Sequence, residues 1–320
     1  LILVTRVFFD LIRRALFSQG FYYICSITKN DILNTTNDDQ WLYTISSKHK
    51  LIDLNFKEIW RYRDLLLLFV KRDIVTVYKQ TILGPLWYLI QPLFTSVIFT
   101  LVFNNLGSIS TGGVPPFLFN LAGITAWNYF NNCLTGTSNT FKQNAGIFGK
   151  VYFPRVIMPM SITISNLLKL FIQLGIFAGF FIYYYSVGAP VALNTHLILF
   201  PVYLLMMALL GLGAGMIFSS MTTKYRDMSV VLGFGVSLLM YMSAVPYPLS
   251  EARKKFPGWV ATFVEYNPLT QVIEGFRYML LSTGSFSWNG FFYTLAISVV
   301  LFLVGLIVFN KTEKSFIDTV

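Results

Sequence analysis

Six apolar runs constrain this chain more than any other feature of its sequence. They cover approximately 86–104, 117–137, 160–184, 197–220, 229–248 and 290–310, and each is bounded by polar, Pro or Gly residues. A stretch of about 20 such residues is what an α-helix needs to cross roughly 30 Å of hydrocarbon. None of the runs alternates with the period of two that a barrel strand requires, so helices are expected. Composition agrees: 55% of the 320 residues are hydrophobic and only 12% are charged, against about 25% charged in soluble domains. The expected fold class is therefore an all-α integral membrane protein with six transmembrane helices.

The formal charge of +10 would suit a nucleic-acid ligand if it formed one basic face. Instead the cations sit in short clusters beside the apolar runs, where the positive-inside rule places them, and no nucleic-acid partner is expected. Lys57, Arg61, Arg63, Lys71, Arg72 and Lys79 flank the first run. Lys142, Lys150 and Arg155 follow the second, Lys224 and Arg226 the fourth, and Lys311 and Lys314 the last. With six spans these clusters share one side, which the rule makes cytoplasmic, and both termini fall there. The loops 105–116 and 186–196 carry no Lys, Arg, Asp or Glu, as translocated loops should.

Residues 1–54 are left unassigned; within them 29–50 are polar and read as an exposed linker. The segment 55–82 opens with Asn55 and Glu58 in a capping-box spacing. Phe56, Ile59, Trp60, Leu67, Val70, Ile74 and Val77 then recur at three- and four-residue steps, with Lys57, Arg61, Asp64, Lys71 and Arg72 largely opposite. A basic amphipathic helix of this kind lies in the headgroup layer, or alternatively packs on a partner protein. The transmembrane part is 83–320. Between its last two runs, 257–265 and 268–281 are half-apolar helices too short to span, and Asn267-Pro268 is a helix start with Asn as cap and Pro in the first turn. They read either as a re-entrant outer gate or as a structural lid. At the first span, "KQTILGPLWYLIQPL" (79–93) holds Pro85, acceptable in a first turn, and Pro92, which should kink the helix.

Chemistry is sparse. Cys25 and Cys133 have no metal-binding or redox spacing, and the only histidines are His49 and His196, so neither a metal site nor a nucleophile–base pair is expected. Lys169 is the one charged residue clearly within a predicted span; it is a functional candidate on that ground, or alternatively a lysine that snorkels to the interface. "GLGAG" (211–215) lies in an apolar run without a preceding strand, and its Gly211 and Gly215 spacing favours close helix packing over nucleotide binding. "GIFGKV" (146–151) lacks the glycine spacing and the Ser or Thr of a Walker loop. Residues 138–159 mix Phe141, Ile147, Phe148, Val151, Tyr152 and Phe153 with cations. This composition reads as an exposed docking surface, or alternatively as anchoring at the membrane interface.

"RDIVTVYKQTILGPLWYLIQPL" (72–93), "GIFGKVYFPRVIMP" (146–159), "KYRDM" (224–228) and "YNPLTQVIEGFRYMLL" (266–281), in this order among six spans, resemble the permease subunits of ABC-2 type exporters of polysaccharides such as O-antigen and teichoic acid. The resemblance covers about 55–320. It implies a homodimeric permease of the bacterial inner membrane, docked on two copies of a separate ABC ATPase subunit. ATP and Mg would be held there, with no cofactor and no catalytic residue on this chain. The expected substrate is a lipid-linked glycan. The resemblance also places the ATPase-coupling segment on Asn144, Phe148, Lys150, Tyr152, Phe153 and Arg155, and the outer gate on Trp259, Asn267, Pro268, Glu274 and Arg277. For the substrate path, Arg72 and Lys79 would meet phosphate, Trp87, Tyr88 and Tyr241 would face sugar rings, and Lys169 would belong to the same path, although an aromatic belt predicts much the same rings. An ABC-2 permease for a drug or lipid shares this architecture. A membrane-embedded glycosyl- or acyltransferase would need an acid or histidine near a leaflet, for which only Glu265 and Glu274 are placed. An ion-coupled carrier would usually show buried acids, and the six span interiors hold none.

Overall fold

The computed structural model describes residues 60–79, 84–148, 153–225 and 227–317. The segment 1–54, the start of the amphipathic helix, and Lys150, Tyr152 and Arg226 lie outside the described residues, as does the side chain of Lys79. Every regular element among the described residues is helical.

Helix α1 (Arg63–Lys79) leads to a 3-10 turn (Gly84–Leu86) and α2 (Trp87–Phe99), which continues as a π-helix over Thr100–Leu106. Helix α3 (Pro116–Ser138) is followed at once by the short α4 (Thr140–Phe148). Then come α5 (Ile157–Ser186), α6 (Phe200–Lys224) with a leading 3-10 turn (Thr195–Leu199), and α7 (Met228–Met242). Three short helices, α8 (Leu249–Lys255), α9 (Gly258–Tyr266) and α10 (Pro268–Leu281), precede α11 (Trp288–Ile317). The runs 117–137, 160–184 and 290–310 each lie within one helix, 86–104 and 197–220 each continue across consecutive helical elements, and 229–248 extends beyond α7.

Among the described residues, four segments are long and apolar enough to cross a membrane: Trp87–Leu106, Ile157–Ser186, Thr195–Lys224 and Trp288–Glu313. The other two runs differ for physical reasons. Helix α3 carries Asn120, Thr125, Asn131, Asn132, Thr135, Thr137 and Ser138, and it occupies the middle of the bundle, packed on α2, α5, α6 and α10. Its polar groups are covered by protein: Asn120 Nδ2 donates to Thr100 Oγ1 at 3.1 Å and to Asn104 Oδ1 at 2.8 Å, on the π-helix. Helix α7 stops at Met242, short of the expected 248. Ala244 there adopts a left-handed conformation (φ 53°), and the carbonyls of Ala244, Val245 and Tyr247 turn from the helix axis to the guanidinium of Arg277.

Close helix contacts are made by glycines. In "GLGAG", a Cβ at Gly211 would meet the Cβ of Cys133 at 2.8 Å, and one at Gly215 would meet Thr137, both on α3. Gly213 points the other way, and a Cβ there would meet the backbone of Leu301 and Phe302 on α11 at 2.7 Å. Three alternate glycines therefore bring α6 against two neighbours, as small residues do between membrane helices. The largest apolar core joins α3, α6 and α10 through Leu118, Phe119, Met206, Met207, Val272 and Phe276. A second, at the end bearing α1 and α4, holds Phe69, Phe141, Phe148, Phe153, Met158, Leu306 and Phe309. Burial of each of these rings there is worth about 1.5–3 kcal/mol where the alternative is water.

Candidate functional site

A polar cavity of about 270 Å³ lies at the α1 and α4 end, between α1, α3, α4 and α5. Its walls are Arg72 and Asp73 from α1, Asn132, Thr135 and Gly136 from α3, Gln143 and Asn144 from α4, and Ile162, Ser165, Asn166 and Lys169 from α5. The spacing explains the convergence. Asn132, Thr135 and Gly136, like Ile162, Ser165, Asn166 and Lys169, recur every three or four residues, so each set forms one stripe on its helix. Two stripes of small and polar side chains facing each other leave a void that apolar residues would have filled.

Charge is distributed unevenly around it. Arg72 binds Asp73 Oδ1 through Nε at 2.9 Å and Nη2 at 2.8 Å, stacks its guanidinium over Phe69 with 4.9 Å to the ring centre, and donates through Nη1 to Asn144 Oδ1 at 3.5 Å. Asp73 Oδ2 is buried and receives no hydrogen bond. The Lys169 ammonium lies over the Tyr88 ring at 5.1 Å. Among the described residues no carboxylate stands within 4.0 Å of it. Three residues selected from the sequence, Arg72, Asn144 and Lys169, thus line one cavity, and a fourth, Tyr88, lies under the Lys169 ammonium. Trp87 and Tyr241 do not line it: Trp87 is exposed, and Tyr241 packs against Phe99 and Phe103 on the opposite part of α2. Asp73, Asn132, Thr135, Ser165 and Asn166 were missed, because the sequence was searched for charge in the spans and these residues are neutral or lie before them. The polar stripes on 131–140 and 165–169 were the signal that would have found them.

The segment 144–155 differs from its expected exposure. Phe141, Phe148 and Phe153 are buried, with Phe141 stacked on Phe309 at 4.6 Å and Phe148 and Phe153 5.8 Å apart. Arg155 is buried too. Its Nη1 donates to the Glu313 carbonyl at 3.0 Å, its Nε stands 3.7 Å from the Glu313 carboxylate, and its guanidinium covers Phe148. Among the described residues, Phe141, Phe148, Phe153 and Arg155 are thus held against α1 and α11, because rings of this size gain more from the core than from water. Lys142 and Gln143 on α4 remain exposed.

At the other end, Asn267 caps α10 by accepting from Leu269 N at 3.0 Å, and Pro268 follows in the first turn. Asn267 Nδ2 also donates to the Met242 carbonyl at 3.1 Å and to Ser243 Oγ at 3.1 Å, tying α10 to the end of α7. Arg277 is fully buried beneath the same turn. It donates to the carbonyls of Ala244 at 2.8 Å and Tyr247 at 3.4 Å and to that of Val245, and its guanidinium lies 3.8 Å from the centre of the Phe119 ring. Glu274 stands 3.6 Å from it and accepts from Leu249 N at 3.1 Å; burial pushes this carboxyl up, opposed by Arg277 and the Leu249 N–H. Trp259 is exposed on α9. Of the residues expected in this region, Asn267, Glu274 and Arg277 are internal ties and Trp259 is a surface ring.

No group of three or more His, Cys, Asp or Glu that would hold a metal exists among the described residues. Comparison with known proteins places these features. The chain is 26% identical over 256 residues to the O-antigen export system permease protein RfbA of Klebsiella pneumoniae, covering 80% of this chain and 94% of that protein. The RfbA permease of Myxococcus xanthus is 23% identical over 270 residues, covering 82% and 98%. The polysialic acid transport protein KpsM of Escherichia coli is 21% identical over 249 residues, covering 78% and 93%. Residues 64–281, from α1 through α10 and so including both the cavity and the Arg277 tie, match the ABC-2 type transporter family model. This multi-pass membrane protein belongs to the ABC-2 type transporter family.

Proposed function

We propose that the chain is the permease subunit of an ATP-driven exporter that moves a lipid-linked polysaccharide, of the O-antigen or teichoic-acid kind, across the bacterial cytoplasmic membrane. The observation that carries this reading is the likeness, along about four-fifths of the chain, to permeases named for O-antigen export. ATP and Mg belong to a separate ABC ATPase, present in two copies, and two permeases pair around the path. Six spans are counted in this reading. Helix α3 crosses inside the bundle with its polar groups covered, and α7, about 22 Å long at 1.5 Å per residue, crosses together with the turn that follows it. Helix α1 lies along the cytoplasmic surface with both termini on that side, and α9 and α10 form the outer gate.

Support for pairing comes from α2 and α7. Phe94, Ile98 and Leu101 on α2 and Val230, Phe234 and Leu238 on α7 are exposed apolar side chains on adjoining parts of the molecule. In this reading they meet the lipid and the second copy. Helix α4, between α3 and the clamped segment that opens α5, is the element a partner ATPase would push. Because Arg155 is an internal tie, its substitution would test stability and not docking. Charge reversal of Lys142 and Lys150 together, measured as permease-stimulated ATP hydrolysis after reconstitution with the ATPase encoded beside this chain, should abolish most of the stimulation while the permease remains folded. Full stimulation in the double variant would reject α4 and its following loop as the docking surface.

A further inference from the structure

The cavity between α1, α3, α4 and α5 carries chemistry that neither close packing nor an aromatic belt requires. Lys169 holds its ammonium over Tyr88 in the wall of a polar chamber. Around it stand the amides of Asn132, Gln143, Asn144 and Asn166 and the hydroxyls of Thr135 and Ser165. The charged groups lining the chamber are Arg72, Asp73 and Lys169, two cations and one carboxylate. Arg72 pairs with Asp73 through Oδ1 alone, Lys169 has no carboxylate within 4.0 Å among the described residues, and the three groups leave one positive charge in excess. The one acceptor in the walls that is buried without a donor is Asp73 Oδ2.

These two features select a ligand. An unpaired ammonium calls for an anionic oxygen, and an acceptor-only carboxylate oxygen calls for a hydroxyl donor. We infer that the cavity is a binding site for a phosphoester that also bears hydroxyl groups, with Lys169 taking the phosphoryl oxygen and Asp73 a hydroxyl. A chamber of about 270 Å³ has room for one such headgroup, within the range of small-ligand pockets or just below it. The phosphoester end of the exported glycan lipid and the glycerol phosphate headgroup of an anionic bilayer lipid both have this chemistry. The inference rests on the exporter reading for the first source only. It also has a consequence for regulation. Gln143 and Asn144 belong to α4, and Arg72 joins α1 to Asn144, so a ligand in the chamber touches the helix proposed to face the ATPase. Binding that favours one position of α4 must be favoured by that position in return.

The test uses the full chain alone in phosphatidylcholine nanodiscs, with glucose 1-phosphate as probe and saturation-transfer NMR as readout, so that neither export nor ATP hydrolysis enters. Saturable binding is expected, with glucose much weaker. Lys169→Gln should weaken it about tenfold or more, as loss of a charge-assisted hydrogen bond does, and Lys169→Arg should retain most of it. Ser165→Leu, which narrows the chamber and leaves the charge, should weaken it as well and serves if Lys169→Gln does not fold. No binding to the natural chain, or binding by Lys169→Gln and Ser165→Leu as strong as that of the natural chain, would overturn the inference. Nanodiscs doped with phosphatidylglycerol separate the sources: loss of the glucose 1-phosphate signal identifies the bilayer headgroup, and its persistence identifies the glycan end. Binding that survives while no polysaccharide is exported would reject the exporter reading and leave the site standing.

Discussion

Arg277 shows how much a single buried cation can organise. Its guanidinium closes the turn after α7 by taking three carbonyls that no helix uses, while Glu274 offsets its charge and Phe119 covers its face. Removing one partner of such a group typically costs about 3–5 kcal/mol, since the rest remains buried and unpaired. Arg277→Met should therefore lower the thermal unfolding midpoint strongly. Arg277→Lys should do nearly the same, because one ammonium cannot span three carbonyls in a fork. Gly123 is part of this arrangement, for a Cβ there would collide with the guanidinium. An Arg277→Lys protein that unfolds at the natural midpoint would show that the tie contributes little. The sequence "EGFRYMLL" marked this residue as belonging to the gate region. Its burial was not legible there, because its carbonyl partners lie 30 to 33 residues earlier in a turn without a motif.

At the level of elements, periodicity and caps were legible and context was not. The Asn267-Pro268 start of α10 and the apolar runs under α2, α5, α6 and α11 follow local rules, and the structure has helices there. Helix α8 was missed, because Leu249–Lys255 is mostly charged and its packing rests on Leu249 and Ala252 alone. Phe141, Phe148 and Phe153, expected on an exposed surface over 138–159, are buried, since exposure depends on what α1 and α11 bring against the rings. The glycines of α6 make a sharper claim at this scale. Gly213 meets α11 where Gly305 lies against it, backbone on backbone. Gly213→Ala and Gly305→Ala should each destabilise the fold by about 1–3 kcal/mol, as overpacking does. Gly175 has open space around its Cβ position, so Gly175→Ala is the comparison that should leave the unfolding midpoint unchanged or higher. Equal midpoints for all three variants would contradict the close approach of α6 and α11.

Across the whole molecule, two polar devices sit at opposite ends of an apolar bundle. At one end, neutral polar stripes and one unpaired lysine enclose a chamber beside α4; at the other, Arg277 and Asn267 fasten α10 to α7. Helix α3 joins them, running from Phe119 and Gly123 under Arg277 to Asn132 and Thr135 in the chamber wall. In the proposed reading this bundle conducts a polysaccharide when a partner ATPase drives it. Reconstitution of the full chain with that ATPase in liposomes, followed by detection of lipid-linked glycan that becomes accessible on the far side, tests this. Transfer should require ATP and both proteins, and should fall with Lys142 and Lys150 reversed. Transfer of a simple lipid or drug with no movement of glycan would refute the reading.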